Sequence, residues 1–599
     1  MIEKMRRYTF LLYHSDYQPF LTELQSLGMV HIVRNTSEKS EKLQNVSEEI
    51  EAYTAALKFM KKKVNPQSVK SHTSLLPLQM RQQLDKAHVE KERLSIQFNV
   101  LAKEISELEP WGSFDYTLYN QLEKSGYKLD LFSCSLHHFK EDWKAQYALT
   151  VINTVGRTIY FAVLHKADEP LEIEAESFKL PPRPLAELRQ QEISIANQLK
   201  AVDEFYADNA LVAVDLFTSE IEDLSHTYEY EDASLQSVPE ADNHIMIMQG
   251  WIPKRLEQEL VSFLEGRGVV YFAVDGTVED NPPVLLKNNW FARIFEPIGK
   301  MFMLPYYNEL DLTPFFAPFY MMFFGFCDGD AGYGIVMFLL AFFLKKKFKA
   351  NKGMLPFLTL IQALGIGTVI MGFVMGSFFA FDLKQISFLN PYIPIRSTEQ
   401  IFNFALLLGV IQIVTGKILN AIKQMMQGGF VYGVATLGTT LFVLCLAISG
   451  STMLGAKPGN ILKYTPYGMY LGLFLIFFFN SPGKNILFNI GNGLWTMYGV
   501  ITGFFGDLLS YIRLFALGVS GGILGLVIND MSHQFLSVPI LGPVLFLALM
   551  IAGHSLNIAL SGLGAFVHPM RLTFVEFFNN AGFSGPGIEY KPFGKTKTN

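Results

Sequence analysis

One arginine stands near the middle of a long apolar run, Gly506-Asp507-Leu508-Leu509-Ser510-Tyr511-Ile512-Arg513-Leu514-Phe515-Ala516-Leu517-Gly518-Val519-Ser520-Gly521-Gly522-Ile523-Leu524-Gly525. A guanidinium keeps its charge at any biological pH. At the centre of a membrane helix it costs about 2.5–3.5 kcal/mol on insertion scales, so Arg513 needs a partner or water. Asp507, six residues earlier, does not meet it along one helix, because pairs three or four apart are the ones that touch. The partner is expected on another helix or another chain. Gly518, Gly521, Gly522 and Gly525 leave a small-residue face that lets another helix approach closely. A static ion pair with tight packing inside a bundle is the alternative.

A second set falls near the end of the chain. His554, Asn557, Ser561, Gly564, His568 and Arg571 are three or four apart, which places them within an arc of roughly 100° on one helix. A polar stripe on a lipid-embedded helix must face protein or water, and two imidazoles among donors and acceptors can line an ion path. Interhelical hydrogen bonding is the competing reading. Lys417 and the Asp328-Gly329-Asp330 turn are read as structural.

The elements that carry these residues follow from composition. The chain has 599 residues, 50% hydrophobic and 17% charged, with a net charge of −6. That balance leans towards a membrane protein and gives no sign of a nucleic-acid partner. Cys134, Cys327 and Cys445 are scattered, so neither a disulfide framework nor a metal site is expected, and no cofactor. Met1 to Tyr13 is too short an apolar run for a signal peptide.

Eight spans are expected, at about 312–327, 331–345, 355–379, 401–423, 431–454, 466–480, 485–529 and 540–578. One side then carries Lys345, Lys346, Lys347, Lys349, Lys352, Lys423, Lys484, Lys591, Lys595 and Lys597, against Lys384, Arg396, Lys457 and Lys463 on the other. The positive-inside rule puts both termini in the cytoplasm. The last two spans would measure roughly 67 and 58 Å against a hydrocarbon layer of about 30 Å, so they tilt, bend or project. Gly491, Gly493, Gly503 and Gly506 keep a broken helix open as an alternative.

The first 300 residues are mixed and charged and read as a cytoplasmic α+β domain, with the ion-translocating membrane domain over 301–599. Strand-helix-strand patterns place one small lobe at about 1–36 with 240–300, and another at about 112–180. Between them run helices at about 40–64, 78–109 and 184–227. Their heptad seams (Leu43, Val46, Ile50, Tyr53, Leu57, Met60; Met80, Leu84, Leu94, Leu101) predict a long helical coiled coil, the first two forming an antiparallel hairpin across a loop with Pro66. The third begins after Pro181-Pro182-Arg183-Pro184. Gly594-Lys595-Thr596 is not a phosphate loop, since Glu589 stands where its first glycine belongs. Any ATP chemistry therefore belongs to another chain.

The run from Gly506 to Gly518 resembles the core motif of the large membrane stator subunit, called a or I, of V-type and A-type rotary ATPases. Thr313-Pro314 through Gly329-Asp330-Ala331-Gly332-Tyr333-Gly334, Gln249-Gly250-Trp251-Ile252-Pro253 and His568-Pro569-Met570-Arg571-Leu572-Thr573-Phe574-Val575-Glu576-Phe577-Phe578 match as well. The resemblance covers essentially the whole chain, and its compact length looks like the prokaryotic form. It implies a non-catalytic stator subunit in a plasma membrane, with the last two helices tilted against a rotor ring. Arg513 corresponds to the essential arginine facing the ring carboxylate, and Arg571 to the second arginine. His554, Asn557, Ser561, His568, Asp507 and Glu576 are the expected ion-path residues, with Gly518, Gly521, Gly522 and Gly525 facing the rotor. Implied partners are the ring with its ion-binding carboxylates, peripheral-stalk helices, a central-stalk collar subunit and, indirectly, the ATP-hydrolysing head. Eukaryotic relatives carry ionisable residues where this chain has Gly521 and Ser561, so their exit path does not transfer. An ion-coupled secondary transporter with a cytoplasmic regulatory domain is the rival, and it predicts repeated broken helices that the sequence lacks.

Overall fold

The computed structural model describes residues 1–599 except 35–39, 65–74, 167–170, 180–182, 241, 243, 349–352, 453–458, 538, 540 and 595–599. Pro66, Pro181, Pro182, Lys349, Lys352, Lys457, Lys595, Thr596 and Lys597 lie outside the described residues. Contacts divide the chain into one unit of residues 1–33 with 237–599 and another of 34–236. The first sheet thus groups with the apolar helices rather than with residues 34–236.

The chain opens with β1 (Met5–Tyr13), whose Tyr8, Phe10 and Leu12 are buried in strand alternation, with Met5 buried at its start. Helix α1 (His14–Leu27) buries Tyr17, Phe20, Leu21 and Leu24 and stops at Gly28, whose φ of 67° suits a residue without Cβ. A short β2 (His31–Ile32) follows.

The second unit contains α2 (Glu41–Lys63), α3 (Pro77–Leu108), α4 (Tyr116–Lys124), β3 (Tyr127–Ser135), α5 (Asp142–Gln146), β4 (Ala148–Val155), β5 (Thr158–Lys166), β6 (Glu176–Phe178) and α6 (Leu185–Leu235). Its antiparallel sheet runs β4-β5-β3-β6 over a core of Phe132, Trp143, Ile159, Phe161 and Val163. The expected hairpin needs correction: α2 and α3 make their main contacts with α6. The reason lies in the shared core, where Ala210 and Ala213 let Tyr53, Met60, Met80 and Leu84 close over Tyr206 and Phe217. Asp203 on α6 ties both in, accepting from Lys63 at 3.0 Å and Lys91 at 2.7 Å. Helix α6 also runs about two turns beyond residue 227.

The first unit resumes with β7 (Val238–Glu240), β8 (Ile245–Pro253), α7 (Glu257–Arg267) and β9 (Val270–Asp275). Its sheet order is β2-β8-β1-β9, with β7 on β8, all antiparallel. Helix α8 (Trp290–Phe302) then leads into the apolar helices α9 (Thr313–Asp328), α10 (Ala331–Lys347) and α11 (Leu355–Met375). A tiny hairpin of β10 (Ser377–Phe378) and β11 (Phe381–Asp382) follows. The remaining helices are α12 (Thr398–Gly428), α13 (Phe430–Ser451), α14 (Thr465–Phe479), α15 (Ile486–Phe535) and α16 (Gly542–Arg571), the last continuing as a π-helical turn, Leu572–Phe577.

Five of these helices are long and apolar enough to cross a membrane, or six units if the bent pair α9 and α10 counts as one; that pair turns through 118°. Gly329, at φ 62°, makes the turn, and Asp330 caps α10. Helix α14 is apolar but has only 15 residues. Helix α15 is unbroken across Gly491, Gly493, Gly503 and Gly506, which removes the broken-helix alternative. The last described residues return to the first sheet, where Val30 bridges Phe593 and Val284 bridges Glu589.

Candidate functional site

The packed pair α15 and α16 organises the polar residues into three groups along its length. The first begins at Asn529, near the end of α15. Asn529 donates to the Phe379 carbonyl at 2.9 Å, which turns its Oδ1 towards His554 Nε2, also at 2.9 Å. His554 Nε2 therefore carries the hydrogen, and Nδ1 is left to accept from the Tyr333 hydroxyl at 2.8 Å. Asn557 in turn donates to the Tyr333 oxygen at 2.8 Å and to the Gly521 carbonyl at 3.1 Å. Every donor in this buried line points the same way, from Asn557 through Tyr333 and His554 to Asn529.

One turn further along α16, Ser561 Oγ lies 2.8 Å from Asp328 Oδ1 and 2.7 Å from the Asn557 carbonyl. Asp328, at the end of α9, is 2% exposed, and its Oδ2 has no partner among the described residues. Its neighbour Asp330 is fully engaged. It accepts from the amides of Gly332, Tyr333, Phe379 and Ala380 and from the Ser377 hydroxyl, which pins the β10–β11 hairpin to the start of α10.

The second group is the arginine pair. Arg513 is half-buried and Arg571 exposed, and neither has a hydrogen bond or ion pair among the described residues. Both lie close enough to His568 to act on it electrostatically. A guanidinium without a carboxylate partner among the described residues has one to gain elsewhere.

The third group gathers where the π-helical turn meets α15 and α12. Asn580 donates to Asp507 Oδ2 and to the Glu576 carbonyl, both at 2.7 Å. Glu576 and Lys417 stand within electrostatic reach of Asp507. Glu576 Oε2 and Thr573 Oγ1 are buried without partners among the described residues. Beside them Tyr511 donates to Gln412 Oε1 at 2.6 Å. π-turns of this kind concentrate at functional sites.

The four glycines do not form one open face. A Cβ on Gly518 would meet the Phe326 carbonyl at 2.7 Å, and one on Gly525 would meet Ala380 Cβ at 2.6 Å. Those two are buried against α9 and the β10–β11 hairpin, which corrects their expected rotor-facing place. Gly521 faces Ser561 at 3.7 Å, and Gly522 alone of the four opens on free space.

Sequence spacing therefore placed the α16 residues on one face but missed what meets them. Tyr333, Asn529, Asp328, Asn580 and Lys417 come from other helices or other turns. Tyr333 and Asp328 lie in the stretch 313–334 that the resemblance covers, while for Asn529, Asn580 and Lys417 the sequence offers only polarity inside apolar helices.

Of the five helices long and apolar enough to cross a membrane, the last two bury the least of themselves. Within the chain, 28% of the most apolar stretch of α15 and 11% of that of α16 are buried, against 39–50% for α11, α12 and α13.

No protein-family model matches the chain. It is 26% identical over 623 residues to the V-type ATP synthase subunit I of Borreliella burgdorferi, with 100% of each chain covered. Against V-type ATP synthase subunit I 1 of Treponema pallidum it is 23% identical over 640 residues, covering 99% of this chain and 100% of that one. The A-type ATP synthase subunit I of Pyrococcus horikoshii is 31% identical over 363 residues, 57% of this chain and 53% of the relative. Among solved structures, a crystal structure of the cytoplasmic N-terminal domain of subunit I, homolog of subunit a, of V-ATPase matches at 12% identity and a TM-score of 0.22, covering 45% of this chain and 100% of that one. At that score it says nothing about how this chain is arranged. The chain's homologues are thus proteins named V-type ATP synthase subunit I where the match runs from end to end, and proteins named A-type ATP synthase subunit I where it covers little more than half of the chain.

Proposed function

We propose that the chain is the static, non-catalytic stator subunit of a V/A-type rotary ATPase, conducting ions between the membrane and a rotor ring of carboxylates. The observation that carries this is the order along α15 and α16: two polar clusters flank two arginines that have no partner among the described residues. From Arg513, Asp507 lies about 9 Å one way along α15 and Asn529 about 24 Å the other way. One cluster serves as a half-channel from each side, and the ring carries the ion between them. The sparse burial of α15 and α16 within the chain supports the ring as their cover.

Arg513 does two things in this reading. An opposing charge within about 4–6 Å lowers a carboxyl pKa, so a ring carboxylate arriving opposite it gives up its ion. The fixed positive charge also raises a barrier to a cation passing straight from one cluster to the other. His554, Asn557 and Ser561 belong to one path, Asp507 and Glu576 to the other, with His568 and Arg571 beside Arg513. Eight spans, cytoplasmic termini and a prokaryotic plasma membrane complete the reading. The helices α2, α3 and α6 and the two sheets hold the stator through peripheral-stalk helices and a collar subunit, and so couple it to the ATP-hydrolysing head.

The test is Arg513→Ala in the assembled complex. ATP-driven pumping should vanish while assembly persists. Assembled complexes that pump at the normal rate would remove Arg513 from the mechanism and with it this function.

A further inference from the structure

Asp328 has no part in the mechanism above, yet its surroundings are those of a proton carrier. Resting on the stator reading, we infer that Asp328 is a proton-binding residue of the ion path, with Ser561 as its hydroxyl switch. A serine hydroxyl has one hydrogen. Ser561 Oγ nevertheless lies within hydrogen-bond distance of two acceptors, Asp328 Oδ1 at 2.8 Å and the Asn557 carbonyl at 2.7 Å. Two full hydrogen bonds form there when Asp328 brings a hydrogen of its own beside that of Ser561. The carboxylic acid of Asp328 donates from Oδ1 to Ser561 Oγ, and Ser561 donates to the Asn557 carbonyl.

Burial favours the same state. Asp328 is 2% exposed, and Oδ2 has no donor among the described residues. An ionised carboxylate in such a place is costly, whereas a neutral acid leaves only a carbonyl-like oxygen unmet. When the proton leaves, the negative charge falls on Oδ1 and Oδ2. Ser561 then turns its single hydrogen from the Asn557 carbonyl to Oδ1, and that carbonyl keeps its helical position. Proton uptake reverses both moves. No bond other than O–H forms or breaks, and the charge balance is that of one proton.

The ligand class follows from the number of oxygens. Hard metal cations take six or more oxygen ligands, and Asp328 with Ser561 supplies two groups. A proton needs one.

Position agrees as well. Ser561 is one turn from Asn557, whose line runs through Tyr333 to His554, and the carbonyl of Gly518 faces Gly329 beside Asp328, five residues along α15 from Arg513. The titratable groups facing Asp328 are Asp330, Tyr333 and Cys327. Of these, Asp330 is saturated by five donors, which leaves Asp328 as the carboxyl free to exchange.

The experiment measures ATP-driven pumping in assembled complexes carrying Asp328→Asn, alone and with Ser561→Asp, beside Arg513→Ala. The single Asp328→Asn change should lower pumping at least tenfold without loss of assembly. Adding Ser561→Asp returns a carboxyl to the same junction and should restore pumping several-fold. A wild-type rate for Asp328→Asn, or no recovery in the double variant, overturns the proposal. Should Asp328→Asn fail to assemble, Ser561→Ala decides: a several-fold fall supports the switch, and an unchanged rate overturns it. The Arg513→Ala arm separates the two readings. If Arg513→Ala pumps normally, the stator mechanism itself fails; if it does not pump while Asp328→Asn does, only the role of Asp328 fails.

Discussion

Asn580 holds Asp507 Oδ2 at 2.7 Å while donating to the carbonyl of Glu576, so the turn that ends the last helix is fastened to α15 two turns before Arg513. Truncating Asn580 leaves a part-buried carboxylate without its donor, a loss of about 1–3 kcal/mol. Asn580→Ala should lower the thermal midpoint of the detergent-solubilised chain and reduce pumping, and Asn580→Asp should reduce it further by placing like charges together. Unchanged melting and flux in both would show that this contact is idle.

The glycines give a contrast within a single helix. Gly518→Ala and Gly525→Ala push a methyl into the Phe326 carbonyl and Ala380 Cβ, and overpacking of this sort costs about 1–3 kcal/mol. Gly522→Ala meets nothing and should leave the chain's own stability unchanged. Gly522→Trp is the informative change. It should fold normally yet weaken retention of the rotor ring on purification, and full retention would argue that the ring lies elsewhere.

Arg513→Lys keeps a positive charge but loses the planar, five-donor guanidinium and shortens the reach. Pumping should fall more than tenfold in complexes that still assemble. A near-normal rate would mean that charge alone suffices.

Glu309 and Lys423 predict a pH dependence. Glu309 accepts from Lys423 and from the amides of Tyr306 and Ser584, and both side chains are largely buried. Burial alone would raise the Glu309 carboxyl, but Lys423 and those amides outweigh it and hold it below the ordinary glutamate range. A carboxyl depressed by folding stabilises fully above its unfolded pKa, about 4.3, and that stability is lost as pH falls through the lower folded value. Melting temperature should therefore drop on acidification below about pH 4.3, and Glu309→Gln should flatten that part of the profile. Because it strands a buried Lys423, Glu309→Gln should also cost about 3–5 kcal/mol at neutral pH.

Much of the architecture is written in local spacing. Alternation in residues 7–13 marks a strand because Tyr8, Phe10 and Leu12, every second residue, face the core, and the heptad residues Tyr53 and Met60 mark a helix face that is buried. What local spacing does not carry is the identity of the partner across the gap. Tyr53 and Met80 each point to a seam, but only the small residues Ala210 and Ala213, more than a hundred positions on, decide that α6 fills both. The same holds at the candidate site. His554, Asn557 and Ser561 share a face by helical period, whereas Tyr333, Asn529 and Asp328 reach them from three other places in the chain. Gly518 and Gly522 illustrate the limit most simply: equal in type and four apart, they differ only in whether Phe326 stands opposite.

The return of the chain's last described residues to its first sheet has a mechanical consequence. The sheet reaches the apolar helices by one route through Val270–Asp275 and α8, and by another where Phe593 and Glu589 bridge Val30 and Val284 and Lys300 pairs with Glu589 at 2.9 Å. One tether lets a lobe swivel about its point of attachment. Two tethers in parallel remove that freedom, so the sheet acts as a bracket bolted at both corners, and a sideways pull on it is delivered to α8 and to the end of α16 together.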